Sequence, residues 1–312
     1  MRICIIGGDG FVGSVLKNRL RASNIECLVA DIEPRSSDSV YVNVEDPTTL
    51  TCVEGCDTVI HLAAEHRDNV TPVSRYMDVN VIGAENLCNA ARSAGVKQIV
   101  FTSSVAVYGF APYGTSETGE LNPFNEYGRT KLLAEEVFRR WRDEDPAHRS
   151  LVIVRPTVIF GEGNRGNVYN LINQIASKRF AMIGSGQNVK SMAYVQNVAA
   201  FLEFTTNFGP GFHLYNYVDG PDISVNELVS IVRFKLFRKS GVGVRVPVSL
   251  GLLVGALFDG LSALTGRTYP ISKIRVKKFT ADSKFSSDAR RSGFQAPYTI
   301  KEAFIKTIEH DF

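Results

Sequence analysis

The chain has 312 residues, of which 44% are apolar and 21% charged, and it carries a net charge of +3. This length suits one large α/β unit or a core with a smaller companion, and the composition excludes a disordered or fibrous chain. Acidic and basic residues are interleaved, and the densest cationic cluster, Lys273 to Lys278, is too small to predict nucleic acid as a partner.

Met1 opens directly into an apolar strand, Arg2 to Ile6, with no room for the charged and apolar regions of a signal peptide. This predicts a cytoplasmic chain, as do five cysteines in odd number, two of which, Cys4 and Cys27, sit in apolar strand-like runs. Cys52 and Cys56 are four apart, but no second pair follows at metal-ligand spacing, so no metal is expected.

Over the first 155 residues, short β-branched runs alternate with amphipathic stretches, the pattern of a parallel sheet with crossover helices. The predicted strands are Ile3 to Ile6, Cys27 to Ala30, Val40 to Val44, Thr58 to Leu62, Gln98 to Thr102 and Leu151 to Val154. The predicted helices between them are Phe11 to Ala22, Tyr76 to Ala94, closed by Gly95, and Tyr127 to Arg142. The fold class is therefore α/β, a doubly wound Rossmann-type parallel sheet with a smaller mixed C-terminal region. Residues 1–160 form the dinucleotide-binding core, residues 191–215 pack back onto it, and residues 161–190 and 216–312 form the smaller substrate-binding region.

In that second part, helices are expected at Val195 to Phe208, Ser224 to Arg238, Ser249 to Leu264 and Ile300 to His310. Ser224 with Glu227, and Thr299 with Glu302, have capping-box spacing. The uncharged run Val246 to Phe258 has thirteen residues, too few to span a bilayer, and predicts a buried helix rather than a transmembrane segment, with a membrane-surface contact as the lesser alternative.

Glycines at 7, 10 and 13 lie between the first strand and the first helix. Gly7 suits the tight turn, Gly10 the close approach of a pyrophosphate and Gly13 the helix-strand contact, with the helix N-terminus facing the phosphates. Asp31 ends the second strand, where a carboxylate accepts both adenine-ribose hydroxyls and repels a 2′-phosphate. The cofactor expected is NAD. Arg35, four residues on, could pair with a 2′-phosphate and leaves NADP open.

Tyr127 and Lys131 are four apart on one helix, so phenol and ammonium share a face. A free phenol titrates near about 10, and a neighbouring cation favours its phenolate, which makes the pair a usable general acid and base. Ser104 follows the strand Gln98 to Thr102, at the edge where open parallel sheets bind ligands. Its hydroxyl suits either a strand-end cap or a hydrogen bond to the substrate oxygen that Tyr127 deprotonates.

Taken with His61-Leu62-Ala63-Ala64, Asn80 to Gly83, Ser103 to Gly109, Arg155-Pro156 and Tyr194 to Val198, these segments resemble the extended short-chain dehydrogenase/reductase family, in its nucleotide-sugar epimerase, dehydratase and reductase branch. The resemblance implies a catalytic Ser104, Tyr127 and Lys131. It implies a cofactor site of Gly7, Gly10, Phe11, Val12, Gly13, Asp31, Ile32, Leu62, Ala63, Ala64, Asn80, Ser103, Tyr127, Lys131 and Pro156. Substrate contacts are implied at Ser104, Val105, Lys190, Arg275 and Lys277, and a homodimer through the helices Tyr76 to Ala94 and Tyr127 to Arg142.

Family dehydratases carry an acid pair after the serine, where this chain has Val105 and Ala106, so water loss is disfavoured. Lys190 stands where many relatives have an arginine and keeps the charge without the fork. Arg275, Lys277 and Lys278 suit either a phosphate grip or a solvated edge strand. The activity expected is an NAD-dependent UDP-sugar 4-epimerase working through a 4-keto intermediate, on a nucleotide-sugar substrate. A 4-keto-sugar reductase is the alternative. Behind these stand a 3β-hydroxysteroid-type oxidoreductase, suggested by the apolar Val246 to Leu264, and a non-catalytic NAD(P)-sensing regulator.

Overall fold

β-branched and apolar residues dominate the runs that form the central sheet, and in the computed structural model, which describes residues 1–67, 70–266 and 272–312, seven of them pair in parallel. The strands are β1 (Arg2–Ile6), β2 (Glu26–Asp31), β3 (Ser39–Tyr41), β4 (Thr58–His61), β5 (Gln98–Thr102), β6 (Ser150–Pro156) and β7 (Gly211–Tyr217). Their order across the sheet is β7-β6-β5-β4-β1-β2-β3. The helices of eight residues or more are α1 (Phe11–Ala22), α2 (Gly83–Ala94), α3 (Glu126–Asp143), α4 (Asn167–Ala176), α5 (Val195–Thr205), α6 (Val225–Phe237), α7 (Val248–Thr265), α8 (Lys273–Thr280) and α9 (Ile300–Asp311).

The chain divides into two units. The first comprises Met1–Ile159, Ala193–Val218 and Phe285–Tyr298, and holds the whole sheet with α1, α2, α3 and α5. The returning segment Phe285–Tyr298 falls in a stretch expected to lie wholly in the smaller region. It is held there by Asn216, which donates to the Ser286 carbonyl at 3.0 Å, and by the Asp288 N–H, which donates to Glu117 Oε1 at 2.8 Å.

Period-two alternation in β1 sorts its side chains to the two faces of the sheet. Cys4 and Ile6 join Ala84, Leu87, Phe138 and Trp141 under α2 and α3, while Ile3 and Ile5 join Leu16, Leu20, Val198 and Leu202 under α1 and α5. Each fully buried aliphatic or aromatic side chain is worth about 1.5–3 kcal/mol, so both faces are needed to hold a sheet whose strands are apolar on both sides. The strand order reverses between β1 and β4, which opens a crevice at their carboxyl ends.

The helix expected from Tyr76 to Ala94 is interrupted. Arg75–Met77 is α-helical, Asp78–Ile82 forms a π turn, and α2 begins only at Gly83. The extra residue in that turn aims Asn80 inward, where it is 2% exposed. Gly95 ends α2 in the left-handed conformation, with φ +69°.

The second unit comprises Phe160–Met192, Asp219–Lys284 and Thr299–Phe312. Both capping boxes form, Ser224 with Glu227 at the start of α6 and Thr299 with Glu302 at the start of α9. Two expectations fail here. Arg275, Lys277 and Lys278 lie on helix α8, not on an edge strand, because Ser272 caps it by accepting the Arg275 N–H at 3.2 Å. The apolar run is not a short buried helix either: α7 has 18 residues, enough by length and composition to cross a membrane, and only 11% of it is buried.

Candidate active site

The loop after β1 is shaped by close backbone contact. Gly7 has φ +80°, and a Cβ there would lie 2.6 Å from the Ala63 nitrogen, while a Cβ on Gly13 would lie 2.4 Å from the Gly7 oxygen. Only glycine leaves that hollow open. Gly10 is the N-cap of α1 but offers no side-chain acceptor, so the first turn through Phe11 and Val12 is left for an outside anion. Across the crevice, Leu62 and Ala63 both donate N–H groups to the Ile6 carbonyl, which sets Leu62 and Ala63 beside the glycine loop.

Asp31 closes this site at the end of β2. Its carboxylate accepts the Asp9 N–H and the Glu33 N–H, each at 3.0 Å, which fixes it against the loop. Ile32 beside it is exposed. Arg35 pairs with Glu33 at 3.6 Å on the surface, and its N–H donates to Asp9. Asp9 is itself held near pKa 2 by the Arg35 N–H, Ser39 and Lys17, against the opposing effect of burial. A glycine hollow, an uncapped helix N-terminus and an oriented carboxylate together fit a dinucleotide whose ribose bears free hydroxyls.

The chemistry-bearing side chains come together at the ends of β5 and α3. Ser104 caps the 3-10 turn Val105–Tyr108, its Oγ accepting the Ala106 N–H at 3.1 Å. α3 starts against that turn: a Cβ on Gly128 would lie 2.5 Å from the Ala106 oxygen, so glycine allows the approach. Asn125 caps α3 by accepting the Gly128 N–H at 2.9 Å. That backbone contact brings the first turn of α3, which carries Tyr127, against the turn that Ser104 caps. Ser104 thus serves as a cap at the turn that α3 meets. Burial pushes the Tyr127 phenol above its ordinary value, and the neighbouring Ser104 hydroxyl opposes the shift.

One turn on, Lys131 is 2% exposed, with Nζ 4.1 Å from the centroid of the Phe101 ring. Desolvation lowers its pKa to about 7, while Glu135 works the other way. Glu135 and Arg155 form a buried ion pair at 2.5 Å. Ser103 donates to the same carboxylate at 2.5 Å, and Arg155 also donates to the Tyr108 hydroxyl at 2.7 Å. The Ser103 hydroxyl is therefore committed inside the protein. Pro156 ends β6, whose seven residues are all buried.

Asn80 joins two elements rather than standing free. Its amide accepts the Glu65 N–H at 2.9 Å and donates to the Glu65 carbonyl at 3.1 Å and to Thr130 Oγ1 at 3.0 Å. His61, at the end of β4, is fully buried between Phe101 and Phe138, and desolvation followed by Lys131 lowers its pKa to about 3. It is a neutral imidazole.

The expected substrate cations lie in the second unit. Lys190 donates to the Lys278 and Ala281 carbonyls at 2.8 and 2.6 Å, so it caps the C-terminal end of α8. Arg275 and Lys277 are exposed on α8.

Glu65 and Glu135 went unread in the sequence, and Arg155 was noted only within the Arg155-Pro156 motif, without its buried ion pair. The available signal was Glu135 four residues after Lys131, on the same helix face, facing an arginine in an otherwise apolar strand.

Residues 3–216 match the model of the NAD dependent epimerase/dehydratase family. The chain belongs to that family. It is an NAD-dependent epimerase of the extended short-chain dehydrogenase/reductase type, and NAD is its cofactor. An Escherichia coli O157:H7 family member, N-acetyl-alpha-D-glucosaminyl-diphospho-ditrans,octacis-undecaprenol 4-epimerase, is 44% identical, covering 99% of this chain and 95% of the relative. Two solved epimerase structures share the fold, each covering 99% of this chain and 98% of their own. The UDP-N-acetylglucosamine 4-epimerase from Bacillus cereus has a TM-score of 0.77 at 15% identity. The Thermus thermophilus UDP-glucose 4-epimerase in complex with NAD has a TM-score of 0.74 at 19% identity.

Proposed function

We propose that this epimerase inverts C4 of a hexose or N-acetylhexosamine carried on a diphosphate, through a 4-keto sugar, and that the carrier is a polyprenol. The observation that carries the chemistry is the close approach, at Ala106 and Gly128, of the Ser104-capped turn to the first turn of α3, which carries Tyr127, with buried Lys131 one turn on. The carrier rests on the relative that is 44% identical along the whole chain and whose name specifies a diphospho-undecaprenol sugar. Other relatives act on UDP-sugars, which makes the nucleotide carrier the second reading.

Gly7, Gly10, Gly13 and Asp31 would hold NAD, which when bound would supply the reversible hydride acceptance that C4 inversion needs. Tyr127 as phenolate removes the proton from the C4 hydroxyl and gives it back when the ketone is reduced, so the sugar leaves with its atoms and electrons unchanged. Ser104 hydrogen-bonds the same oxygen and holds it at the phenol. Lys131, when protonated, favours the phenolate by charge. No carboxyl follows Ser104, only Val105 and Ala106, which supports epimerisation over water loss.

The test gives the purified chain N-acetylglucosamine on a polyprenyl diphosphate and, separately, on UDP, and assigns the released sugars by chromatography. The N-acetylgalactosamine epimer is expected from the polyprenyl substrate, with no net change in NADH absorbance. Turnover of the UDP-sugar alone overturns the polyprenol carrier, and stoichiometric loss of NADH against a 4-keto sugar overturns epimerisation in favour of a reductase.

A further inference from the structure

α7 is apolar nearly all the way round, and such a helix is ordinarily buried in a core or in lipid. Here its buried residues are Gly251 and Gly255. Those two glycines seat the helix: a Cβ on Gly255 would lie 2.7 Å from the Lys273 nitrogen, and one on Gly251 would lie 2.9 Å from the Ile183 side chain. The opposite side carries Leu250, Leu253, Leu257, Leu261 and Leu264, spaced by three, four, four and three residues, which places them on one face. Leu253, Leu257 and Leu264 are 58%, 67% and 86% exposed.

The neighbouring helix supplies charge. α8 packs against α7 and exposes Lys273, Arg275, Lys277 and Lys278, with Ile274 exposed among them. Residues 248–280 contain five arginines and lysines and one acid, Asp259, although the whole chain is nearly balanced at 35 basic to 32 acidic residues. Asp259 is engaged at the start of α8, where its carboxylate accepts the Lys273 N–H at 3.0 Å. A leucine face flanked by cations complements the two layers of an anionic bilayer, acyl chains and phosphate headgroups.

We infer that the α7 leucine face, with the basic α8 beside it, docks the enzyme on an anionic phospholipid surface. α7 lies in the interface and does not cross. Crossing would carry Asp259 and the attached start of α8 into hydrocarbon. This surface is independent of which carrier the substrate uses.

Flotation of the full chain with vesicles tests the inference. Binding to phosphatidylcholine vesicles containing roughly 30% phosphatidylglycerol is expected to exceed binding to phosphatidylcholine alone by about tenfold, and to weaken as salt rises. The triple variant Leu253→Gln, Leu257→Gln, Leu264→Gln is expected to lose vesicle binding while keeping its NADH fluorescence titration and melting temperature. Should it fail to fold, Leu264→Gln alone and the lipid-composition series on the unaltered chain still decide. No flotation with anionic vesicles overturns the inference, as does flotation that the leucine changes leave intact. A vesicle-indifferent dimer that the leucine changes split into monomers overturns it in favour of a second copy covering α7.

Discussion

Tyr127→Phe removes one hydroxyl and leaves the ring that fills the start of α3. Turnover should fall by about 10³-fold with NAD affinity unchanged, measured by steady-state kinetics and cofactor titration. Ser104→Ala should cost less, because the hydroxyl orients the proton transfer without carrying it. Lys131 offers a second readout in stability. Its pKa is about 7 in the folded protein against an ordinary 10.5, so between those values the unfolded chain binds the extra proton and folding becomes more favourable as pH rises. Below about pH 7 both states are protonated and the cost of the buried ammonium is present in full. Lys131→Met should abolish this gain, which is on the order of 5 kcal/mol across the window, as read by equilibrium unfolding at a series of pH values. Glu135→Gln strands the Arg155 guanidinium in the core and should cost about 3–5 kcal/mol, with Glu135→Gln and Arg155→Met together costing less than the sum of the two.

Elements succeed or fail by how closely their backbones meet. Gly13→Ala places a methyl group against the Gly7 oxygen, and should cost about 1–3 kcal/mol in unfolding free energy along with NAD affinity. A melt and titration showing neither loss would contradict the hollow described for this loop. Such contacts were legible in the sequence where pattern and chemistry agreed: the glycine loop, Asp31, the Tyr127 and Lys131 spacing, and the two capping boxes each carry a local signal. α7 was legible as a helix, with exposure at a surface only the lesser reading, because an all-apolar run has no periodicity to distinguish a core side from an exposed one. The π turn around Asn80 left no trace, since its cause is a partner across the fold, Glu65 and Thr130, and not a local preference. The helical state of Arg275 to Lys278 hinged on the Ser272 cap, easily passed over beside a run of charge.

The first unit is assembled from three stretches of chain, and that limits how the molecule can be cut. A fragment of residues 1–160 lacks β7, which pairs with β6 along seven residues, and lacks α5, which covers Leu16 and Leu20. Such a fragment should aggregate or melt without a cooperative transition in circular dichroism. A soluble, cooperatively melting fragment would show that the core closes without its later segments. The same threading has a consequence during translation. Leu151 to Val154 leave the ribosome well before the strand that shields them, since residues 157 to 210 must be made in between. At about 5–20 residues per second, an apolar strand edge waits roughly 3 to 10 seconds for its partner. The nascent chain therefore presents a ready template for intermolecular pairing over that interval, and its yield in a cell should track the supply of chaperones that hold extended apolar segments.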